Sequence, residues 1–289
     1  MTNTGITFRI WWRALRAYSF TATIIPVVCA FLSARAQGLP VVWMMFPLML
    51  YCALLLHAGV NLLNDYYDFV LGFDTAEARG SSGLLTGGVV KPEYMLRWGR
   101  FYLFTGAAAG LLLAAACGWP LLFMGVAGLT GAWFYSHRKG YKYKGLGEPF
   151  VFILMGPLLF YGAFYAAAGT VTADAFWPAL SCGCLVTAIL LVNNLRDIQM
   201  DKQAGFKTLP MRLGAERTKK LYVVFVVIAF CATSAAGTVL PWLSLPLAVK
   251  QIYRVFTASE LNLDLADAPQ KTAALYLVFG VLLAAGLTL

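Results

Sequence analysis

Charge is what this sequence has least of. Asp, Glu, Lys and Arg make up only 12% of its 289 residues, about half the share of an ordinary soluble domain, while 60% are hydrophobic. That composition excludes a soluble globular protein and implies an integral membrane protein. A cleavable leader is missing as well: the first apolar run, from about Tyr18 to Ala34, has no small-residue cleavage site and reads as a retained span. The six cysteines, at 29, 52, 117, 182, 184 and 231, lie in or beside apolar runs and include no C-x-x-C pair. They read as small packing residues, which leaves no disulfide frame and no zinc site. The net charge of +9 does not mark a nucleic-acid partner, because the charges are confined to loops between the oily runs.

What is present is a series of runs near the roughly 20 apolar residues that cross a bilayer core. Spans are expected near 17–35, 40–64, 98–116, 120–136, 149–168, 176–195, 220–236, 238–252 and 272–288. The seventh and eighth are separated by Gly237 and Pro241, which mark a break. Nine spans with the N-terminus inside place 21 of the 22 basic residues on the cytoplasmic side and leave only Arg35 outside. Eight spans would expel Lys250, Arg254 and Lys271. The acids also gather inside, all except Asp174, which the positive-inside rule does not require. The expectation is an all-α integral membrane protein, a bundle of about nine transmembrane helices over residues 1–289 as a single domain, with its working loops on the cytoplasmic face of the cell's inner membrane.

Two polar clusters stand at the cytoplasmic ends of spans. In "NLLNDYYDFVLGFD" (61–74), preceded by His57, the residues His57, Asn61, Asn64, Asp65 and Asp68 fall within an arc of about 100° at helical spacing. Asp74 and Glu77 continue into the loop. In "NNLRDIQMDKQAGFKTL" (193–209), Asn193, Asn194, Asp197 and Asp201 again span about 100°. Carboxylates at membrane helices are costly and mark function; His57 alone reads as a satisfied core histidine. Hard oxygen ligands suit Mg²⁺, which shares itself between carboxylates and phosphate oxygens. Two facing acidic helices therefore suit a diphosphate held through Mg²⁺, with Asp65, Asp68, Asp197 and Asp201 as metal ligands. The basic complement is "FYSHRKGYKYKGLGE" (134–148), where Lys139, Lys142 and Lys144 can reach phosphate and Tyr135 can hydrogen-bond it. "GFKTLPMRLG" (205–214) adds Lys207 and Arg212. The Gly-rich "RGSSGLLTGG" (79–88) fits a lid.

Together these residues resemble the UbiA-type superfamily of intramembrane aromatic prenyltransferases. "NDYYDF" with Asp74 is similar to its first Asp-rich motif, "NNLRDIQMDKQAGFKTLPMRLG" to its second, and "YSHRK" (135–139) to its YxxxK element, with Lys139 or Lys142 as the lysine. "NDYYDF", "YKGLGE", "NNLRD" and the C-terminal "KTAALYLVFGVLLAAGL" are most similar to the branch that prenylates 1,4-dihydroxy-2-naphthoate; the loop "RGSSGLLTGGVVKP" departs from it. The resemblance implies a helix bundle around a central cavity. A polyprenyl diphosphate is held through Mg²⁺ by the Asp motifs, with Asn61, Asn64, Asn194, Tyr135, Lys139, Lys142 and Lys207 around the diphosphate. Its tail lies in an apolar tunnel open to the lipid bilayer. Neutralising the leaving diphosphate lets the allylic C–O bond ionise. An electron-rich phenol then attacks, and a proton is lost, or CO₂ where the attacked carbon bears a carboxylate. Arg138, with Tyr135 and the neighbouring lysines, is the expected partner of the acceptor's carboxylate. Tyr66, Tyr67, Phe69, Trp133, Phe134 and Tyr135 are expected as aromatic walls for the cation.

Other acceptors remain open within that class: 4-hydroxybenzoate, homogentisate or a non-quinone ring. The rival class is a cation-coupled transporter, which would hold its polar residues near mid-membrane in broken helices; here they sit at one mouth. A silent scaffold of the same fold is a third reading, against which the intact Asp motifs count.

Overall fold

The computed structural model describes residues 8–74, 81–137, 140–205 and 207–289. Every regular element among them is helical. A short α1 (Phe8–Ala14) leads through a 3₁₀ turn to α2 (Thr21–Ala36). Then follow α3 (Met45–Val70), α4 (Pro92–Cys117) and α5 (Trp119–Tyr135). After a 3₁₀ turn at Tyr141–Lys144, α6 (Gly147–Ile153) and α7 (Leu159–Ala168) run on through a π-helical turn at Leu154–Leu158. The second half comprises α8 (Phe176–Arg196), short α9 (Ile198–Gln203) and α10 (Leu209–Leu213), then α11 (Ala215–Ala235), α12 (Leu245–Thr257), the one-turn α13 (Leu261–Asp264) and α14 (Ala268–Gly286).

Among the described residues, seven helical segments are long and apolar enough to cross a membrane. Two of the nine expected runs fall outside that group. Helix α5 has 17 residues, about 25 Å at 1.5 Å per residue. The eighth run is a 3₁₀ turn (Leu240–Ser244) continuing into the amphipathic α12. It nonetheless returns along the whole of α11: the chain reverses at Gly237, in the left-handed region at φ 84°, and Lys219 Nζ, near the start of α11, donates to Ala258 O at 2.8 Å. The expected break at Gly237 is therefore present.

Helix α8 is the most enclosed of the seven segments and α4 the least. Close approach is bought with small residues, as in membrane bundles generally. Gly59, Gly99 and Gly106 sit where α3 meets α4, and a Cβ at any of them would strike a leucine of the facing helix. Gly156 in the π turn lies directly on Gly183 of α8. The outward surface is studded with Phe101, Phe104, Leu111, Leu112, Phe123, Val126 and Val281, all exposed; such a belt suits lipid.

Both polar clusters lie at one end of the bundle. Arg35 and Asp174 lie near the other, where Thr172 Oγ1 donates to Gln37 Oε1 at 2.7 Å. Helix α3 runs to Val70, six residues past the expected end of its span, so its acids stand on the helix itself. The Asn64, Asp65 and Asp68 side chains of that last stretch are hydrogen-bonded by neighbouring segments.

Candidate active site

A cavity of about 340 Å³ lies between α2, α3, α5, α7 and α8. Its mouth is polar: Arg16, Asn61, Asn64, Asp68, Asp74, Tyr135, Lys142, Asn193, Asn194, Asp197, Asp201 and Thr208 all line it. Its depth is apolar, with Met49, Leu113, Leu121, Met124, Leu158 and Leu159 on the wall. The two acidic helices therefore face one space, as their matched phase implied.

On the α3 side, Asp68 is the centre. Lys142 Nζ donates to Asp68 Oδ2 and to Asn64 Oδ1, both at 2.6 Å. Tyr143 Oη donates to Asp68 Oδ1 at 2.8 Å, and Ser136 Oγ to Asn64 Oδ1 at 2.8 Å. The 3₁₀ turn at Tyr141–Lys144 lets residues 142 and 143 reach the same carboxylate. Burial and the nearby Asp68 charge raise the Tyr143 phenol well above its ordinary value, so it stays a donor. Asp65 points away from the cavity wall and is held by the Arg16 guanidinium and by the Ser82 backbone N–H at 3.2 Å. Arg16 is the one non-glycine residue with positive φ among those described, at 51°, and this left-handed turn aims it into the site. Asn61 donates to Leu15 O at 2.8 Å and to Ser19 Oγ at 3.2 Å, which pins the N-terminal segment. His57 is held by Thr23 at 2.7 Å and Ser19 at 3.2 Å.

On the α8 side, the completely buried Arg196 forks onto Asp197, with Nε donating at 2.8 Å and Nη2 at 2.6 Å. The i to i−4 ladder continues through the helix break, since Asp201 N bonds Asp197 O at 2.9 Å. That keeps Asp197 and Asp201 on one arc. Among the described residues Asp201 has one side-chain donor, Thr208 Oγ1, at 3.2 Å. Burial, and then the Asp197 charge, push its carboxyl up to about 7. Burial likewise raises Asp74 to about 6, with Asp65 and Asp68 adding to the effect. Two carboxyls that resist ionisation beside others are what a cation would relieve.

The donor set fits a hard divalent ion: Asp68, Asp74, Asp197 and Asp201 with amide oxygens nearby, and no sulfur or imidazole among them. Among the described residues no three His, Cys, Asp or Glu side chains converge into a cage of their own.

Several expected site residues stand elsewhere. Arg138 and Lys139 lie outside the described residues. Lys207 is exposed and does not line the cavity; its carbonyl faces Gly145 instead. Of the six aromatic residues expected as walls, only Tyr135 lines the cavity, joined by Tyr18, Phe73 and Tyr141. Tyr66 packs against Tyr67, which lies against His137, Trp133 packs on Phe104 of α4, and Phe134 is exposed. The sequence reading passed over Arg16, Ser136, Tyr143, Arg196 and Thr208 as site residues. Each gains its role through a contact with another part of the chain or through local geometry that spacing does not show.

A charged mouth over an apolar cavity, inside a bundle of membrane-length helices, is the form of an enzyme for an amphiphile with an anionic head. The chain belongs to the UbiA prenyltransferase family, whose model matches residues 23–279, and it is a multi-pass membrane prenyltransferase. It is 28% identical over 288 residues to the 1,4-dihydroxy-2-naphthoate octaprenyltransferase of Bacillus subtilis, covering 96% of this chain and 92% of that one. It is 34% identical to the enzyme of that name from Mycobacterium tuberculosis, covering 81% and 80%. It is 31% identical to UbiA prenyltransferase domain-containing protein 1 of Mus musculus, covering 96% and 83%. Its fold is shared with a UbiA homologue from Archaeoglobus fulgidus bound to GPP and Mg²⁺, at TM-score 0.60 and 16% identity over 95% of this chain and 99% of that one. The apo UbiA homologue from Aeropyrum pernix K1 gives 0.68 at 16% identity, over 90% and 96%.

Proposed function

We propose that this protein transfers a polyprenyl chain from a prenyl diphosphate to 1,4-dihydroxy-2-naphthoate, with loss of CO₂, in menaquinone synthesis. The observation that carries the reading is a cavity with carboxylates and Lys142 at its mouth and an apolar interior. The names of the bacterial relatives support the acceptor, and the metal and prenyl diphosphates in the archaeal structures support the donor.

Asp68, Asp197 and Asp201, with Asp74, would hold Mg²⁺, and Asn194 supplies an amide oxygen beside them, while Asn64 holds Lys142 and Ser136 at the site. When bound, the ion neutralises charge on the departing diphosphate. Lys142 and Tyr135 meet the diphosphate from the α5 side, and Lys139 is proposed as a further cation for it. Lys207 serves it only from the rim. Asp65 works from behind, holding Arg16 at the cavity. Asn61 fixes the N-terminal segment that closes that wall. The apolar depth excludes water from the allylic cation and aligns the tail. Tyr135 and Tyr141 present π faces to the cation, and Arg138 meets the acceptor carboxylate. The protein acts as one membrane-embedded unit, 1–289, in the cell's inner membrane, with its N-terminus and the site's loops on the cytoplasmic side.

The test is purified protein with a labelled polyprenyl diphosphate, Mg²⁺ and a panel of aromatic acids. Prenylation of dihydroxynaphthoate well above 4-hydroxybenzoate and homogentisate is expected. Prenylation of another ring in its place refutes the acceptor, and bound donor without any transfer refutes the reaction.

A further inference from the structure

Glu148 is the most enclosed carboxylate at the polar end apart from Asp65, 1% exposed, and it does not line the cavity. Its Oε1 accepts from Asn194 Nδ2 at 3.0 Å, and no side-chain donor among the described residues reaches its buried Oε2; the backbone N–H groups of Glu148 and Leu209 lie beside the carboxylate. A buried carboxylate with so few side-chain donors is costly and needs a reason. The reason lies in what a carboxylate cannot do. A carboxylate oxygen accepts, and the Asn194 amide turns Nδ2 toward Glu148 and Oδ1 away from it. Asn194 lines the cavity beside Asp197, and among the described residues its Oδ1 has a long contact with Asn193 Nδ2, at 3.4 Å. That oxygen is left available.

The same corner ties two loops together. Gly145 is left-handed at φ 69°, and a Cβ there would strike the Lys207 carbonyl and the Arg212 side chain. Arg212 Nη2 donates to Lys144 O at 2.6 Å. The segment 141–148 is thus docked on the segment that carries Thr208, the hydrogen-bond donor to Asp201.

We infer that Glu148 is a positioning residue for the second acidic cluster: it sets the Asn194 amide so that its oxygen, together with Asp197 and Asp201, faces a divalent cation. The inference rests on the proposed function, and its role is exerted through Asn194, not by contact with substrate. Partners of this kind contribute about 10- to 100-fold in metal affinity. Glutamine at 148 is isosteric but offers both a donor and an acceptor, so Asn194 gains two orientations. Aspartate is one methylene short of contact.

The experiment is Mn²⁺ binding followed by EPR, with and without inorganic diphosphate, on detergent-purified wild type, Glu148→Gln, Glu148→Asp, Asn194→Ala and the Glu148→Gln/Asn194→Ala double variant. Expected is at least about a 10-fold rise in the Mn²⁺ half-saturation of either Glu148 variant, and a double variant no worse than Asn194→Ala alone, because the two act as one unit. In turnover, the Mg²⁺ requirement rises by the same factor, while excess Mg²⁺ restores most of kcat and leaves the acceptor KM unchanged; a role in folding alone would not move these. Unchanged Mn²⁺ binding in whichever Glu148 variant folds overturns the inference, as do additive losses in the double variant. If neither Glu148 variant folds, the residue is a structural support and the inference is overturned. A wild type without saturable Mn²⁺ binding overturns the proposed function beneath it.

Discussion

Replacing Lys142 with methionine keeps the length of the side chain and deletes the charge that joins Asn64 to Asp68. Lys142 and Asp68 are 13% and 12% exposed at their side chains, so little water takes the place of the ammonium. Breaking one side of a fully buried ion pair costs roughly 3–5 kcal/mol. Here Asp68 keeps Tyr143 at 2.8 Å and Asn64 at 3.1 Å, so about 2 kcal/mol of stability is the expected loss. Turnover should fall further. A cation aimed at developing charge in a closed site is worth about 100- to 1,000-fold, or about 2.7–4 kcal/mol. Lys142→Arg should recover only part of this, since a planar fork cannot reproduce two 2.6 Å contacts made by one nitrogen. The assay is single-turnover transfer of a labelled prenyl group with saturating donor, beside thermal unfolding in detergent. Lys142→Met turnover within about fivefold of wild type, with Lys139 intact, would refute the placement of Lys142 at the diphosphate.

Asp68→Ala, Asp197→Ala and Asp201→Ala should each lower turnover at least about 100-fold, and membrane expression levels report whether the fold is spared. Asp65→Ala should lose turnover and stability together, because it strands the half-buried Arg16 guanidinium; a variant with normal unfolding temperature contradicts that distinction. Gly145→Ala should cost at least about 1–2 kcal/mol from the left-handed backbone alone, more with the contact to Lys207, read as a lowered unfolding temperature. A reporter fused after Leu289 should read outside and one inserted in 81–97 inside; matching locations would remove the nine-span count and leave the site intact.

The helices were legible because hydrophobic runs and Gly or Pro breaks are local signals, and Gly237 does reverse the chain. The acidic faces were legible because 3.6-residue periodicity sets which residues share a side, as Asn64 with Asp68 and Asp197 with Asp201 show. The partners of those acids were not legible. Arg16 reaches Asp65 across 49 positions of sequence, from a left-handed turn that no glycine announces. The reach of Lys142 to Asp68 depends on the 3₁₀ turn after Gly140, which spacing does not show. The aromatic walls were misplaced because composition names the rings and only helix phase decides which of them face inward.

The central claim is transfer of a prenyl group to the carboxyl-bearing carbon of dihydroxynaphthoate. Its most direct measurement uses 1,4-dihydroxy-2-naphthoate labelled at the carboxyl carbon, incubated with purified protein, a polyprenyl diphosphate and Mg²⁺. The expected result is labelled CO₂ released one for one with prenylated product and abolished by EDTA. Prenylated product that retains the labelled carboxyl, or equal turnover in EDTA, would contradict it.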